Sequence, residues 1–361
     1  MKRAINFNAG PAAIPQEVLE TAQAEMLDWR GTGMSVMEVS HRSKEYEEMH
    51  NHAQALFREV AGMGEDWKVL FLTGGASSQF FMLPMNMLYD GRGADYIVTG
   101  HWGKAAVKEA KRYGPIGVVT TEKDGVFRSI PSQADLKLDP KAAYVHMTSN
   151  NTIFGTQWHK WPDLGAAPAV VDMSSDVFSR PFPVDKFSMV YAGAQKNLGP
   201  SGVTVVAVRE SFLARAKADL PTMLSYKTHV DNNSLYNTPP CFSIYILDLT
   251  LGWIKKMGGL GALQTINEEK ARILYDAIDS SGGYYACPVD RDARSQMNVV
   301  FRLKSEDLEE RFVKEAKTAG IIGVKGHRLV GGIRFSIYNA SSVQNVKDAV
   351  GFMKDFQKRN G

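Results

Sequence analysis

Only two of the 361 residues are cysteine, Cys241 and Cys287, and no Cys-x-x-Cys pair occurs. Zinc fingers, iron–sulfur clusters and disulfide scaffolds need more thiols than that, so no metal site is expected. An excess of one charge is missing too. Forty-two Lys and Arg stand against 39 Asp and Glu, a formal charge of +3 that gives no footprint for a nucleic-acid partner. Long apolar runs are scarce. The greasiest stretch, Cys241 to Ile254, is short for a membrane span and is interrupted by Asp248. The N-terminus, Met1 to Pro11, has two basic residues but no apolar segment behind them, unlike a signal peptide. Neither a Walker loop nor a GxGxxG fingerprint is present. A cytoplasmic protein with no membrane partner is the expectation.

What is there is an ordinary globular composition, 44% hydrophobic and 22% charged. At about 150 residues per domain, the length suggests two domains. Amphipathic helices are expected over Gln16–Trp29 and Ser43–Ala61. Short apolar runs follow at Lys68–Leu72, Tyr96–Thr99, Gly117–Thr120, Ala143–Thr148, Ala169–Asp172, Met189–Ala192 and Val203–Val208. They lack clean alternation, as strands covered on both faces do. The sum is an α/β domain with a mostly parallel sheet of seven strands. Pro221 to Pro240 is polar and reads as a long loop, followed by helix from Phe242 to Asp279 with a glycine-rich break at Gly258–Gly261. A closing strand–helix–strand–helix pattern predicts a smaller α+β domain. The division expected is 1–260 and 261–361, with segment 1–15 near the site.

Lys196 follows an apolar strand and sits in the turn Ala192-Gly-Ala-Gln-Lys-Asn-Leu-Gly-Pro200. A lone lysine is usually a solvated charge. One held between buried elements is costly unless its amine is used, and partial desolvation makes such an amine nucleophilic. Asp172 ends another buried strand, where a turn-forming role is the plain alternative. Twenty-four residues separate the two, enough for one crossover and a return strand. Parallel strands would then place both at the sheet edge where ligands of open α/β sheets bind. An acid and a lysine there match pyridoxal phosphate, whose ring nitrogen needs a carboxylate and whose aldehyde needs an amine. Thr73-Gly-Gly-Ala-Ser-Ser78, between a strand and a helix, suits a phosphate at a helix start. Trp102 either packs or stacks on a ring, and Thr152 either caps a helix or donates to a ring oxygen.

These residues carry a resemblance. The chain is similar to the phosphoserine aminotransferase family of class V aminotransferases, along essentially its whole length. The pieces that carry it are Asn8-Ala-Gly-Pro11, Glu38-Val-Ser-His-Arg-Ser43, the Ala194-to-Gly199 lysine motif, Tyr236-Asn-Thr-Pro-Pro240, Gly326-His-Arg328 and Gly332-Ile-Arg334. It implies the type I pyridoxal-phosphate transferase fold, with Lys196 as covalent attachment point, Asp172 facing the pyridine nitrogen and Trp102 on the ring. It further implies that Thr152 and Gln195 hold polar groups of the cofactor and that Ala76 and Ser77 hold its phosphate. Some members carry Gly-Arg where this chain has Ala76-Ser77. Arg334 would receive the substrate α-carboxylate, and His41, Arg42, His327 and Arg328 its other anionic end. In the family, a homodimer shares its sites: Asn237 and Thr238 reach the phosphate from the neighbouring subunit, and the His327–Arg328 segment crosses the interface likewise.

The activity implied is transfer of the amino group of glutamate to 3-phosphohydroxypyruvate, with 3-hydroxy-2-oxo-4-phosphonooxybutanoate left open as a second acceptor. Three alternatives remain. A cysteine desulfurase needs a cysteine near the site, an alanine–glyoxylate type aminotransferase does not need the basic cluster, and a non-catalytic phosphate-binding module would use only Thr73–Ser78.

Overall fold

A computed structural model describes residues 3–361; Met1 and Lys2, which open the N-terminal segment expected near the site, lie outside the described residues. The chain begins with β1 (Ile5–Asn6), α1 (Gln16–Ala24) and α2 (Lys44–Ala61). Ser43 caps α2 by accepting from the Tyr46 amide, and Gly62 ends it in the left-handed conformation. Helix α1 stops at Ala24 rather than running to Trp29, whose ring is fully buried beyond a turn.

Alternating elements then build the sheet: β2 (Trp67–Leu72), α3 (Gly75–Met87), β3 (Ala94–Val98), α4 (His101–Ala110), β4 (Ile116–Thr120), β5 (Val145–Thr148), β6 (Ala169–Asp172), β7 (Met189–Gly193) and β8 (Thr204–Arg209). Their order is β2-β8-β7-β6-β5-β3-β4, and β8 alone runs against the others. This is the mostly parallel seven-stranded sheet expected. Alternate residues feed two cores: Val205 and Ala207 face one layer, Val206 and Val208 the other. One strand departs from the expectation of burial on both faces. β4 is an edge strand, and Val118 is 45% exposed because nothing covers the last position.

After α5 (Glu210–Leu213) comes a second departure. The polar segment 221–240 is not all loop but contains α6 (Tyr226–Asp231), capped by Ser225 and anchored by Tyr226, which donates to Gln79 Oε1 at 2.7 Å. Helices α7 (Cys241–Lys256) and α8 (Gly259–Asp279) follow; α8 sends Leu263 into a core of the large sheet and Leu274 into the smaller unit. The latter consists of β9 (Asn298–Phe301), α9 (Glu306–Thr318), β10 (Ile321–Ile322), β11 (Ile333–Ser336) and α10 (Val343–Asn360). β9 and β11 are antiparallel, and β1 pairs parallel with β10, so the N-terminus is stitched to the C-terminal unit. Phe7 stacks on Phe335 there, ring centroids 5.0 Å apart. The chain between Phe7 and α1 thereby passes the end of the large sheet.

Candidate active site

Adjacent strands set the site. β6 and β7 pair in parallel with Asp172 opposite Tyr191, and Lys196 lies five residues further on. The turn carrying it is closed by the Ala194 amide donating to the Val203 carbonyl at 3.0 Å. Lys196 Nζ donates to Thr152 Oγ1 at 2.8 Å. Asp172 Oδ1 accepts twice from Ser174, from the amide at 2.9 Å and the hydroxyl at 2.6 Å. Ser174 Oγ in turn accepts from the Gly193 amide at 3.1 Å, which ties Asp172 to the end of the neighbouring strand.

Burial dominates the electrostatics. It pulls the Lys196 amine down to about 8; Asp172 pushes it back up and Arg334 adds to the fall. The Asp172 carboxyl is pushed up by burial, against the two Ser174 hydrogen bonds and the charge of Lys196. The site therefore holds an amine that loses its proton readily and a carboxylate short of positive charge.

Both groups open onto a cavity of about 320 Å³, within the range of small-molecule sites. Its floor is the start of α3, where Gly75, Ala76 and Ser77 line the wall. Gly74 adopts φ +91°, and a Cβ there would lie 1.9 Å from Ser78 Oγ, so only glycine permits this close turn. On the other side Gly10 approaches Lys196 closely; its Cβ would stand 3.3 Å from Lys196 Cγ. Trp102, in the first turn of α4, Thr152, Gln195, His327 and Arg334 complete the enclosure. Arg334 is buried on β11 and donates through Nη1 to the Thr152 carbonyl at 3.2 Å. Three buried polar atoms of these walls, Trp102 Nε1, Thr148 Oγ1 and Arg334 Nε, have no hydrogen-bond partner. Unsatisfied groups around one cavity are what a polar ligand completes.

Of the residues expected from sequence, Ala76, Ser77, Trp102, Thr152, Asp172, Gln195, Lys196, His327 and Arg334 meet here. Five do not. Arg42, Asn237, Thr238 and Arg328 are exposed, and His41 lies off the cavity with Nε2 unpartnered. Asn237 donates only to the neighbouring Thr238 carbonyl, at 3.4 Å. Arg328 lines a separate cleft with Glu306 and Glu310. His327 lines the cavity of its own chain, carried there by the β10–β11 connection.

Sequence reading missed Ser174, Gly10 and a second buried acid, Asp176. Asp176 accepts from Ser149 and, at 3.1 Å, from Gln157. The run Asp172-Met-Ser-Ser-Asp176 directly after a buried strand was the available signal for two of them.

Comparison with known proteins finds relatives along the whole chain. The family model Aminotransferase class-V matches residues 4–348. Phosphoserine aminotransferase of Niallia circulans is 53% identical over 360 residues, covering 100% of this chain and 99% of the relative. The solved phosphoserine aminotransferase from Bacillus circulans subsp. alkalophilus superposes with a TM-score of 0.97 at 52% identity, each chain covered in full. Another solved phosphoserine aminotransferase, determined to follow radiation damage of its Schiff base, gives a TM-score of 0.96 at 49% identity, covering 99% of this chain and 100% of that one.

Asp172→Asn keeps the shape of the site and removes its negative charge. The Lys196 amine then loses the group that raises it, so its pKa in the cofactor-free protein should fall below the native value of about 8. Turnover should fall by about two to three orders of magnitude, the scale of a lost electrostatic contact at a reacting centre. Titration of ¹³C-methylated lysine by NMR, alongside kcat, checks both; an unmoved amine with near-normal kcat would remove Asp172 from the mechanism.

Proposed function

We infer the reaction from two facts together: the chain belongs to the phosphoserine aminotransferases of the class-V aminotransferase family, and Lys196 and Asp172 face one cavity. It is a pyridoxal-phosphate-dependent transaminase that moves the amino group of glutamate onto 3-phosphohydroxypyruvate, giving O-phosphoserine and 2-oxoglutarate. The observation that carries this is the amine of Lys196, lowered by burial and placed beside a carboxylate at the end of two parallel strands.

The walls fit the cofactor on their own chemistry. The glycine-cleared start of α3, with the Ser77 hydroxyl, suits its phosphate. Trp102 offers a flat face, Thr152 and Gln195 polar groups, Asp172 a carboxylate and Lys196 an amine. When bound, pyridoxal phosphate supplies an aldehyde carbon for that amine and a ring that accepts electrons from the substrate α-carbon. Asp172 would offer its negative charge to the ring nitrogen and so favour its protonated form, and Ser174 holds the carboxylate in place. Lys196 Nζ would take the α-proton of the substrate and pass it to the cofactor carbon that carried the aldehyde, a role suited to an amine whose pKa burial lowers to about 8. Arg334, with Nε unpartnered, receives the α-carboxylate, and His327 faces the far anionic end.

The rival desulfurase reading has no nucleophile, since neither Cys241 nor Cys287 lines the cavity and burial pushes both thiols up. The active form is a homodimer. Support comes from the off-site residues: His41, Arg42, Asn237, Thr238 and Arg328 carry family motifs yet line no part of their own chain's cavity. Met37 is 58% and Tyr236 47% exposed, apolar surface directly beside the polar residues that need an acceptor site. A two-fold interface would present the same loops to both cavities. Two free cysteines accord with a reducing, cytoplasmic setting.

A coupled assay with glutamate and a panel of oxo acids tests the activity. 3-Phosphohydroxypyruvate should exceed glyoxylate and pyruvate in kcat/KM by about a hundredfold or more, since each charge-assisted contact to phosphate contributes about 1.5–3 kcal/mol. The same panel measures 3-hydroxy-2-oxo-4-phosphonooxybutanoate, and equal use of glyoxylate would contradict the substrate assignment.

Subunit complementation tests the dimer. Chains carrying Lys196→Ala are mixed with chains carrying Asn237→Ala and Thr238→Ala, each impaired alone. Hybrid dimers should recover activity at one of two sites; none, with hybrids confirmed by mass, would return Asn237 and Thr238 to surface loops.

A further inference from the structure

A second lysine is more deeply buried than Lys196. Lys270, on α8, is 0% exposed. Burial alone pulls its pKa down to about 7, with no carboxylate to push it back. An ammonium has three N–H donors, and all three are used. Nζ donates to the carbonyls of Ile337 at 2.8 Å, Tyr338 at 2.8 Å and Ser341 at 3.0 Å. Three backbone carbonyls closing on one charge is how proteins replace the hydration shell of a potassium or ammonium ion. An uncharged amine would leave one of the three carbonyls without a donor, so the cradle selects the cation.

The segment so held, 337–341, directly continues β11, which bears Arg334. It also touches the lysine turn. The Asn339 amide donates to Asn197 Oδ1 at 3.0 Å, and Asn197 follows Lys196 in sequence. Asn339 Nδ2 donates to the Phe178 carbonyl at 2.9 Å, and Asn339 Oδ1 accepts from Asn267 Nδ2 at 2.9 Å. Asn267 and Lys270 stand three residues apart on one face of α8. Tyr338 donates to the Ala9 carbonyl at 2.8 Å, beside Gly10 at the cavity. One turn therefore links the arginine, the lysine turn and the N-terminal segment.

We propose that Lys270 is a positioning residue whose ammonium serves as a built-in monovalent cation, fixing the 337–341 turn and through it the placement of Arg334 against Lys196. This rests on the transaminase reading for its kinetic consequence, and not for the cradle itself. Lys196 and Arg334 come from different units, joined here through hydrogen bonds to a turn that has no internal strand pairing of its own. Misplacement of reacting groups by about 1 Å suffices for a hundredfold loss.

The test is cation rescue of Lys270→Ala. The variant lacks three methylenes and the ammonium, which n-propylammonium restores. Its Tm should drop by about 5–10 °C, given how temperature reports stability in a chain of this size. Added propylammonium should recover most of that drop, while propanol and tetramethylammonium should not. At temperatures where the variant is folded, kcat should fall ten- to a hundredfold, with cofactor affinity changed less than twofold, and propylammonium should raise kcat in parallel with Tm. Asn339→Ala provides a second route, because it keeps the cradle and releases the turn from the Phe178 carbonyl and from Asn267, the side-chain bonds that tie it to the large unit and to α8. Its Tm should stay within a few degrees of the wild type while kcat falls about tenfold, and it decides the matter if Lys270→Ala does not fold. A Tm recovered by propylammonium with kcat unmoved, or normal kcat in Asn339→Ala, would overturn the positioning role. No rescue of Tm would overturn the cradle. A wild type without transaminase activity would instead overturn the functional reading and leave the Tm arm standing.

Discussion

Burying a lysine beside an aspartate at one end of two adjacent parallel strands is the constraint on which this structure depends. Neither group is stable there alone, because removing charge from water is expensive without a partner. Their mutual attraction offsets part of that penalty. Two hydrogen bonds from Ser174 and one to Thr152 offset more. What remains uncompensated is chemistry: an amine held near 8 and a carboxylate that gains from any nearby positive charge. A cofactor with an aldehyde, a protonated ring nitrogen and a phosphate answers each of these deficits.

The rest of the fold delivers groups to that point. The register of β6 on β7 brings the strand ends level, and the reversed β8 forces the tight turn from which Lys196 projects. The start of α3 supplies amides cleared by Gly74. The smaller unit contributes Arg334 and His327 from the side, and the β1–β10 pairing brings Gly10 against the lysine stem. A site assembled from elements so distant in sequence depends on the buried links between units, among them the carbonyl cradle around Lys270.

Much of this was legible in the sequence because the strands are short apolar runs ending in polar residues. Ala169-Val-Val-Asp172 ends a buried strand in the residue that faces the cavity, and the glycine-rich turn around Lys196 marks a strand reversal. Local pattern failed where tertiary contacts decide. Tyr226 converts an apparently polar loop into a helix by finding Gln79 at a distance of 147 residues in sequence. The two-residue strand β1 forms only because β10 is there to receive it. Lys270 looked like any lysine on an amphipathic helix, since nothing nearby in sequence announces three carbonyls some seventy residues later. Arg42 and Asn237 carry motifs, yet both are exposed and lie off the cavity of their own chain.

The central claim is that Lys196, and no other amine, is the group placed for covalent chemistry. Borohydride reduction of the holoenzyme, followed by peptide mapping, tests it most directly, since reduction fixes the pyridoxyl group on whichever amine held it. The account predicts a single modified peptide containing Lys196. Modification at buried Lys270, or at surface Lys104 or Lys160, would contradict it.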